Sequence, residues 1–219
     1  MWSSEVTNMI ITGIWETLYM TLVSTLVGYV IGLPMGIILT VSDKDGIKPN
    51  AVLYKILDVI ANIVRSVPFI ILLVLLIPFT RLVVGKSYGS TATIVPLVIA
   101  AAPYIARMVE SSLKEVDAGV IEAARSMGAS NFTIITKVML VEARTSLLVG
   151  ATITLGTILG YSAMSGAVGG GGLGAIAIRY GYTRWQTDIM IVTVILLIIL
   201  FQIFQTVGMK LADKFEHRK

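Results

Sequence analysis

Five stretches of this chain are apolar, nearly free of charge and about 20 residues long or longer, the length a helix needs to cross a bilayer. They lie at about 11–41, 54–84, 91–109, 146–164 and 189–209. Glu16 interrupts the first, and Asp58, Arg65 and Arg81 interrupt the second. The last two carry no charge. The runs are continuous and do not alternate at every second residue, so helices are expected and barrel strands are not. Composition agrees. The chain is 56% hydrophobic and 14% charged, where soluble domains are about 25% charged. That argues against a water-soluble enzyme and against disorder, which needs low hydrophobicity. The expected fold is an all-α membrane protein with five transmembrane helices, residues 1–219 forming one membrane-embedded unit.

The residue inventory narrows the chemistry. There are no cysteines and one histidine, His217. Disulfides, thiol nucleophiles, cysteine-held metals, a His-based triad and a multi-His metal site are all excluded within one chain. Gly85-Lys86-Ser87 imitates the end of a P-loop, but Thr80 stands where the first glycine is required. Gly169, Gly171 and Gly174 fit GxGxxG without a preceding strand. No catalytic, nucleotide-binding or metal-binding residue is therefore expected, and the chain does not read as an enzyme. The first residues, MWSSEVTN, lack the basic start of a secretory signal.

The net charge of +4 does not point to nucleic acid; basic residues in membrane proteins gather on the cytoplasmic side. One side receives Lys44, Lys48 and Lys55, then Arg107, Lys114, Arg125, Lys137 and Arg144, then the tail with Lys210, Lys214, Arg218 and Lys219. The other receives Arg81, Lys86, Arg179 and Arg184. The expected topology has the N-terminus outside and the C-terminus in the cytoplasm.

Several local patterns stand out. Gly28, Gly32 and Gly36 repeat at four-residue spacing and mark one face of span one for close helix packing. In span two Pro68 follows Arg65-Ser66-Val67, so the helix is expected to break or kink there. Arg65 is about eleven residues into the span, ~16 Å at 1.5 Å per residue. It either lines a conduit or snorkels to the interface. In span three Pro96 and Pro103 weaken the helix locally, and Arg107 can pair with Glu110 at i, i+3. The segment of about 110–144 is long and amphipathic. Asp117 is suited to cap a helix over 118–127, Gly128 to the left-handed turn that ends it, and Ser130 to cap the next helix. Val120, Ala123, Ala124 and Met127 fall on one face of the first helix. Docking into another protein and lying on lipid are both open for that face. The glycine run from Gly166 to Gly174 reads either as a flexible outer gate or as a plain surface turn.

The loop also carries a pattern. Glu122-Ala123-Ala124, three residues, Gly128, nine residues and Val138-Met139-Leu140 resembles the EAA loop of ABC-importer permeases. Val138 takes the isoleucine place and Val141 the proline place. The methionine-importer branch is resembled more widely, in Trp15-Glu16-Thr17-Leu18, Ile31-Gly32-Leu33-Pro34, Arg65-Ser66-Val67-Pro68, Ala102-Pro103-Tyr104 and Gly160-Tyr161-Ser162-Ala163-Met164. The resemblance runs nearly the whole length from Trp15 onward.

It implies a type I importer permease, the membrane-spanning pore subunit of an ATP-driven methionine importer in the bacterial inner membrane. The implied partners are a second copy, two cytoplasmic ABC ATPase subunits that bind ATP and Mg, an external substrate-binding protein, and membrane lipid. Glu122, Ala123, Ala124, Met127 and Gly128 would couple to the ATPase. Met164, Tyr161, Ser162, Arg65 and Pro68 would line or gate the path. Two other readings stay open: an importer of another small amino acid or osmoprotectant, and a secondary transporter whose ion site would use residues such as Asp58.

Overall fold

The computed structural model describes residues 4–215. His217, Arg218 and Lys219 lie outside them. The described residues form helices joined by turns, with no strand among them. Helix α1 (Ser4–Ser42) runs unbroken through Pro34. The second apolar stretch is divided into α2 (Ala51–Ser66), α3 (Phe69–Leu75) and α4 (Ile77–Val84). Helix α5 (Ser90–Lys114) is the central element, followed by the short α6 (Ala118–Ser126). Residues 131–142 form one helical run, α7 (Asn131–Thr133), a π-turn (Ile134–Met139) and α8 (Leu140–Glu142). Helix α9 (Arg144–Ser165) leads to the glycine run, α10 (Gly172–Ile176), a second π-turn (Ala177–Tyr182) and α11 (Thr187–Lys214).

Four of the apolar helical stretches are each long and apolar enough to cross a membrane, and α2 and α3 are so only when taken together as a bent pair. The second apolar stretch is broken at Pro68, as its Arg65-Ser66-Val67-Pro68 pattern predicts, and α2 and α3 meet at 101°. Val67 and Pro68 are both extended, with ψ of 125° and 134°. The proline ring disfavours a helical residue before it, and α3 restarts with Pro68 as its N-cap. Pro96 and Pro103 do not have this effect. Both are buried inside an unbroken α5, where packing against neighbours holds the helix.

The core is built around α5. Gly28, Gly32 and Gly36 form the α1 side of its tightest contact. A Cβ on Gly32 would lie 2.6 Å from the Ala102 carbonyl oxygen and 2.7 Å from Ile105 Cβ. A Cβ on Gly36 would meet the Ala106 oxygen at 2.6 Å. The two backbones therefore approach to a distance only glycine allows. Met20, Leu97, Ala101, Ile105, Val109 and Ile158 are buried around this seam.

Candidate functional site

At the end of the bundle rich in Lys and Arg, residues 117–142 form an ordered helix–turn–helix projection. Asp117 caps α6 by accepting a hydrogen bond from the Gly119 amide at 2.8 Å. The helix ends at Gly128, whose φ of +81° is left-handed. The Gly128 amide donates to Arg125 O at 2.9 Å and the Ala129 amide to Ala124 O at 3.1 Å, a Schellman closure. Ser130 then caps the following run by accepting from the Thr133 amide at 3.2 Å. The projection is tied to the body by Arg125, which donates to Ile47 O in the loop after α1 at 3.1 Å.

Its apolar residues divide between two sides. Ala124 is buried in the core that also holds Ile134 and Met139. Met127 is 82% exposed and Phe132 75%, on either side of the Gly128 turn. Glu122, Ala123 and Gly128 are exposed as well. The projection thus offers Glu122, Ala123, Met127 and Gly128 to a partner, while Ala124 anchors it. Of Val120, Ala123, Ala124 and Met127, Ala124 is buried and the other three are exposed. Phe132 carries little local signal in the sequence beyond its place two residues after the Ser130 cap.

Beneath the projection lies an ion-pair network. Arg107 donates to Glu110 Oε2 at 2.6 Å and to Asn62 Oδ1 at 3.0 Å, and it also pairs with Asp58. Lys114 lies 2.8 Å from Glu110 and 2.7 Å from Asp43. Tyr54 donates to Glu110 Oε1 at 3.3 Å. The network joins α2, α5 and the loop after α1. The nearby Lys114 ammonium, the larger influence, holds the Asp43 carboxyl below its usual range. Asp58, which as an interrupting charge kept an ion site open, is engaged here by Arg107. Among the described residues no group of acidic or histidine side chains is arranged to hold a metal ion.

The second site is the break between α2 and α3. Arg65, Val67, Phe69, Leu72, Tyr104 and Tyr161 help to line a cavity of about 160 Å³. The Phe69 and Tyr161 rings stack at 4.5 Å with an interplanar angle of 4°. The Arg65 guanidinium sits 6.0 Å from the Tyr104 ring centre. Pro68 makes the break but does not line the cavity. Ser162 and Met164 are not brought there. Ser162 is buried, donates to Leu159 O at 2.8 Å and accepts from Thr21 at 3.5 Å. Met164 is on the exposed side of α9.

At the opposite end the glycine run is packed and hydrogen-bonded. The Glu16 carboxylate accepts from the Gly172 amide at 2.7 Å, and Thr17 Oγ1 accepts from the Leu173 amide at 2.9 Å. A Cβ on Gly166 would fall against the backbone of Gly174 and Ala175, and one on Gly174 against that of Ala163. Glu16, an interruption of span one in sequence, is one of the groups that fasten this turn, with Thr17, Gly89 and Thr93.

A membrane bundle with no catalytic cluster among its described residues, carrying an exposed rigid projection, has known counterparts. Residues 32–218 match the family described as binding-protein-dependent transport system inner membrane component. The chain belongs to that family. A probable D-methionine transport system permease protein, MetI of Vibrio cholerae, is 48% identical over 217 residues, covering 99% of this chain and 96% of that protein. The D-methionine transport system permease protein MetI of Escherichia coli K12 is 52% identical over 158 residues, 72% of this chain and 73% of that protein. A solved structure described as an inward-facing conformation of the MetNI methionine ABC transporter superposes with a TM-score of 0.96. It is 49% identical, and the match covers 99% of this chain and all of that one. The fold is therefore that of a type I importer permease, and the chain is an inner-membrane component of a transport system.

Proposed function

We propose that this chain is the permease subunit of an ATP-driven importer of methionine. The substrate follows from the relatives named for methionine and D-methionine transport and from the agreement with the MetNI structure along the full length. In this reading two copies form the pore, two separate ATPase chains bind ATP and Mg, and an external binding protein delivers substrate. The Lys- and Arg-rich end faces the cytoplasm by the positive-inside rule, so the N-terminus is outside. Residues 1–219 act as one permease domain with no nucleotide site of its own.

The observation that carries the mechanism is the pair of exposed side chains Met127 and Phe132 on a capped, rigid projection. Large apolar groups on a soluble-side projection are suited to fill a groove on a partner. Closure of the ATPase pair would move the projection. Arg125 and the Asp43–Lys114–Glu110–Arg107–Asp58 network would carry that movement into α1, α5 and α2. Alternating access then needs no hinge inside the loop, only a lever stiff enough to tilt the spans.

Met127→Glu tests this. It leaves α6 and its caps intact, and it is expected to abolish co-purification of the ATPase subunit and methionine uptake while the permease still accumulates in the membrane. Retained ATPase binding and normal uptake would refute the docking assignment.

A further inference from the structure

Helix α2 has an apolar exposed face, Val52, Ile56, Val59, Ile60 and Ile63, and a separate polar stripe. The stripe is Lys55, Asp58, Asn62 and Arg65, spaced three, four and three residues apart. Such a stripe on a membrane helix has to face water or protein, because exposing it to lipid is costly. Asp58 and Asn62 are engaged by Arg107. Arg65, at the top of the stripe, makes no ion pair or hydrogen bond among the described residues, and its guanidinium lies 6.0 Å from the Tyr104 ring centre. A fixed positive charge is thus left unpaired at the mouth of a cavity lined by three aromatic rings.

We propose that this cavity is a transient contact site for the transported amino acid. The Arg65 guanidinium receives the α-carboxylate, and the stacked Phe69 and Tyr161 rings, with Tyr104, take the thioether side chain. This rests on the methionine reading above and adds the site. Guanidinium matches a carboxylate through paired N–H donors. A thioether gains from contact with aromatic rings. At about 30 Å³ per water the cavity has room for roughly five waters, the scale of one short side chain and not of a whole enclosed ligand. The backbone end of the substrate therefore stays in the open passage beside Arg65. One ion pair at a partly open cavity releases its ligand readily, as a passage requires. The same charge repels cationic amino acids and leaves an apolar zwitterion favoured.

The chain has no cysteine, so Ser66→Cys places a single thiol in it beside an intact Arg65. The assembled complex, with ATPase and binding protein, is labelled at this position with a water-soluble maleimide. Millimolar methionine is expected to slow labelling of this chain, and methioninol, which lacks the carboxylate, is not. In the same complex Arg65→Ala is expected to abolish the protection and to lower uptake per ATP hydrolysed about tenfold, with Arg65→Lys partly restoring both. No labelling, or equal protection by methioninol, or protection and coupling unchanged in Arg65→Ala, each overturns the site while wild-type methionine uptake stands. If the wild-type complex takes up no methionine at all, the methionine reading itself fails and this occupant goes with it.

Discussion

The Lys114 ammonium lies 2.7 Å from the Asp43 carboxylate, joining the last residue of α5 to the loop that leaves α1. The two helices already touch along Gly28, Gly32 and Gly36, so this pair fixes their relative position at the end where the projection is mounted. Asp43→Asn is expected to lower stability by up to about 1 kcal/mol, the scale of a partly exposed pair. The Asp43 carboxyl is held below its ordinary range, so its contribution is complete above the ordinary aspartate value and is lost as pH falls through the lower folded value. Thermal unfolding of wild type and Asp43→Asn should differ at neutral pH and converge once acid has protonated the Asp43 carboxyl, below the ordinary aspartate range.

Gly32 tests the α1–α5 seam. Gly32→Ala puts a methyl group 2.6 Å from the Ala102 oxygen, and α5 is too constrained by its own packing to yield freely. Overpacking of this kind costs about 1–3 kcal/mol. The substitution should lower the unfolding temperature of the solubilised complex. A control at Gly160, where nothing lies within 4 Å of an added Cβ, should leave it unchanged.

Gly128 separates backbone strain from crowding. No atom lies within 4 Å of a Cβ built there, yet φ is +81°. Gly128→Val therefore strains the turn without a clash, at about 1–2 kcal/mol. The expected phenotype is impaired ATPase coupling: ATP hydrolysis by the assembled complex persists while methionine uptake per ATP falls.

Glu16 should matter at the opposite end. Glu16→Ala removes the acceptor of the Gly172 amide and leaves Thr17 as the one α1 side chain bonded to that turn, beside the Gly89 and Thr93 contacts to Gly169 and Gly170. Amide hydrogen exchange across residues 166–174 should accelerate in Glu16→Ala and much less in Glu16→Gln, which keeps an oxygen acceptor.

The membrane class and the start and end of the projection were legible because their signals are local. An apolar run of about 20 residues, an Asp or Ser at a helix start and a Gly at its end each act within a few residues. What was not legible depends on groups far apart in sequence. Asp58 and Glu16 read as interruptions because Arg107 and Gly172, their partners, are 49 and 156 residues away. Pro68 breaks its helix while Pro96 and Pro103 do not, and the difference lies in what surrounds each. The glycine run suggested freedom, but Gly166 and Gly174 are there to let backbones touch. On α6, periodicity groups Ala124 with Met127, and only tertiary packing decides that Ala124 is buried while Met127 is exposed.

In the proposed function this chain carries methionine only when ATP is hydrolysed on another chain. The direct test is methionine uptake in cells lacking their own methionine importer, supplied with this permease, its ATPase and its binding protein, compared with a hydrolysis-dead ATPase. Uptake is expected with the active ATPase and none with the dead one. Methionine uptake that persists without hydrolysis would contradict the proposed function.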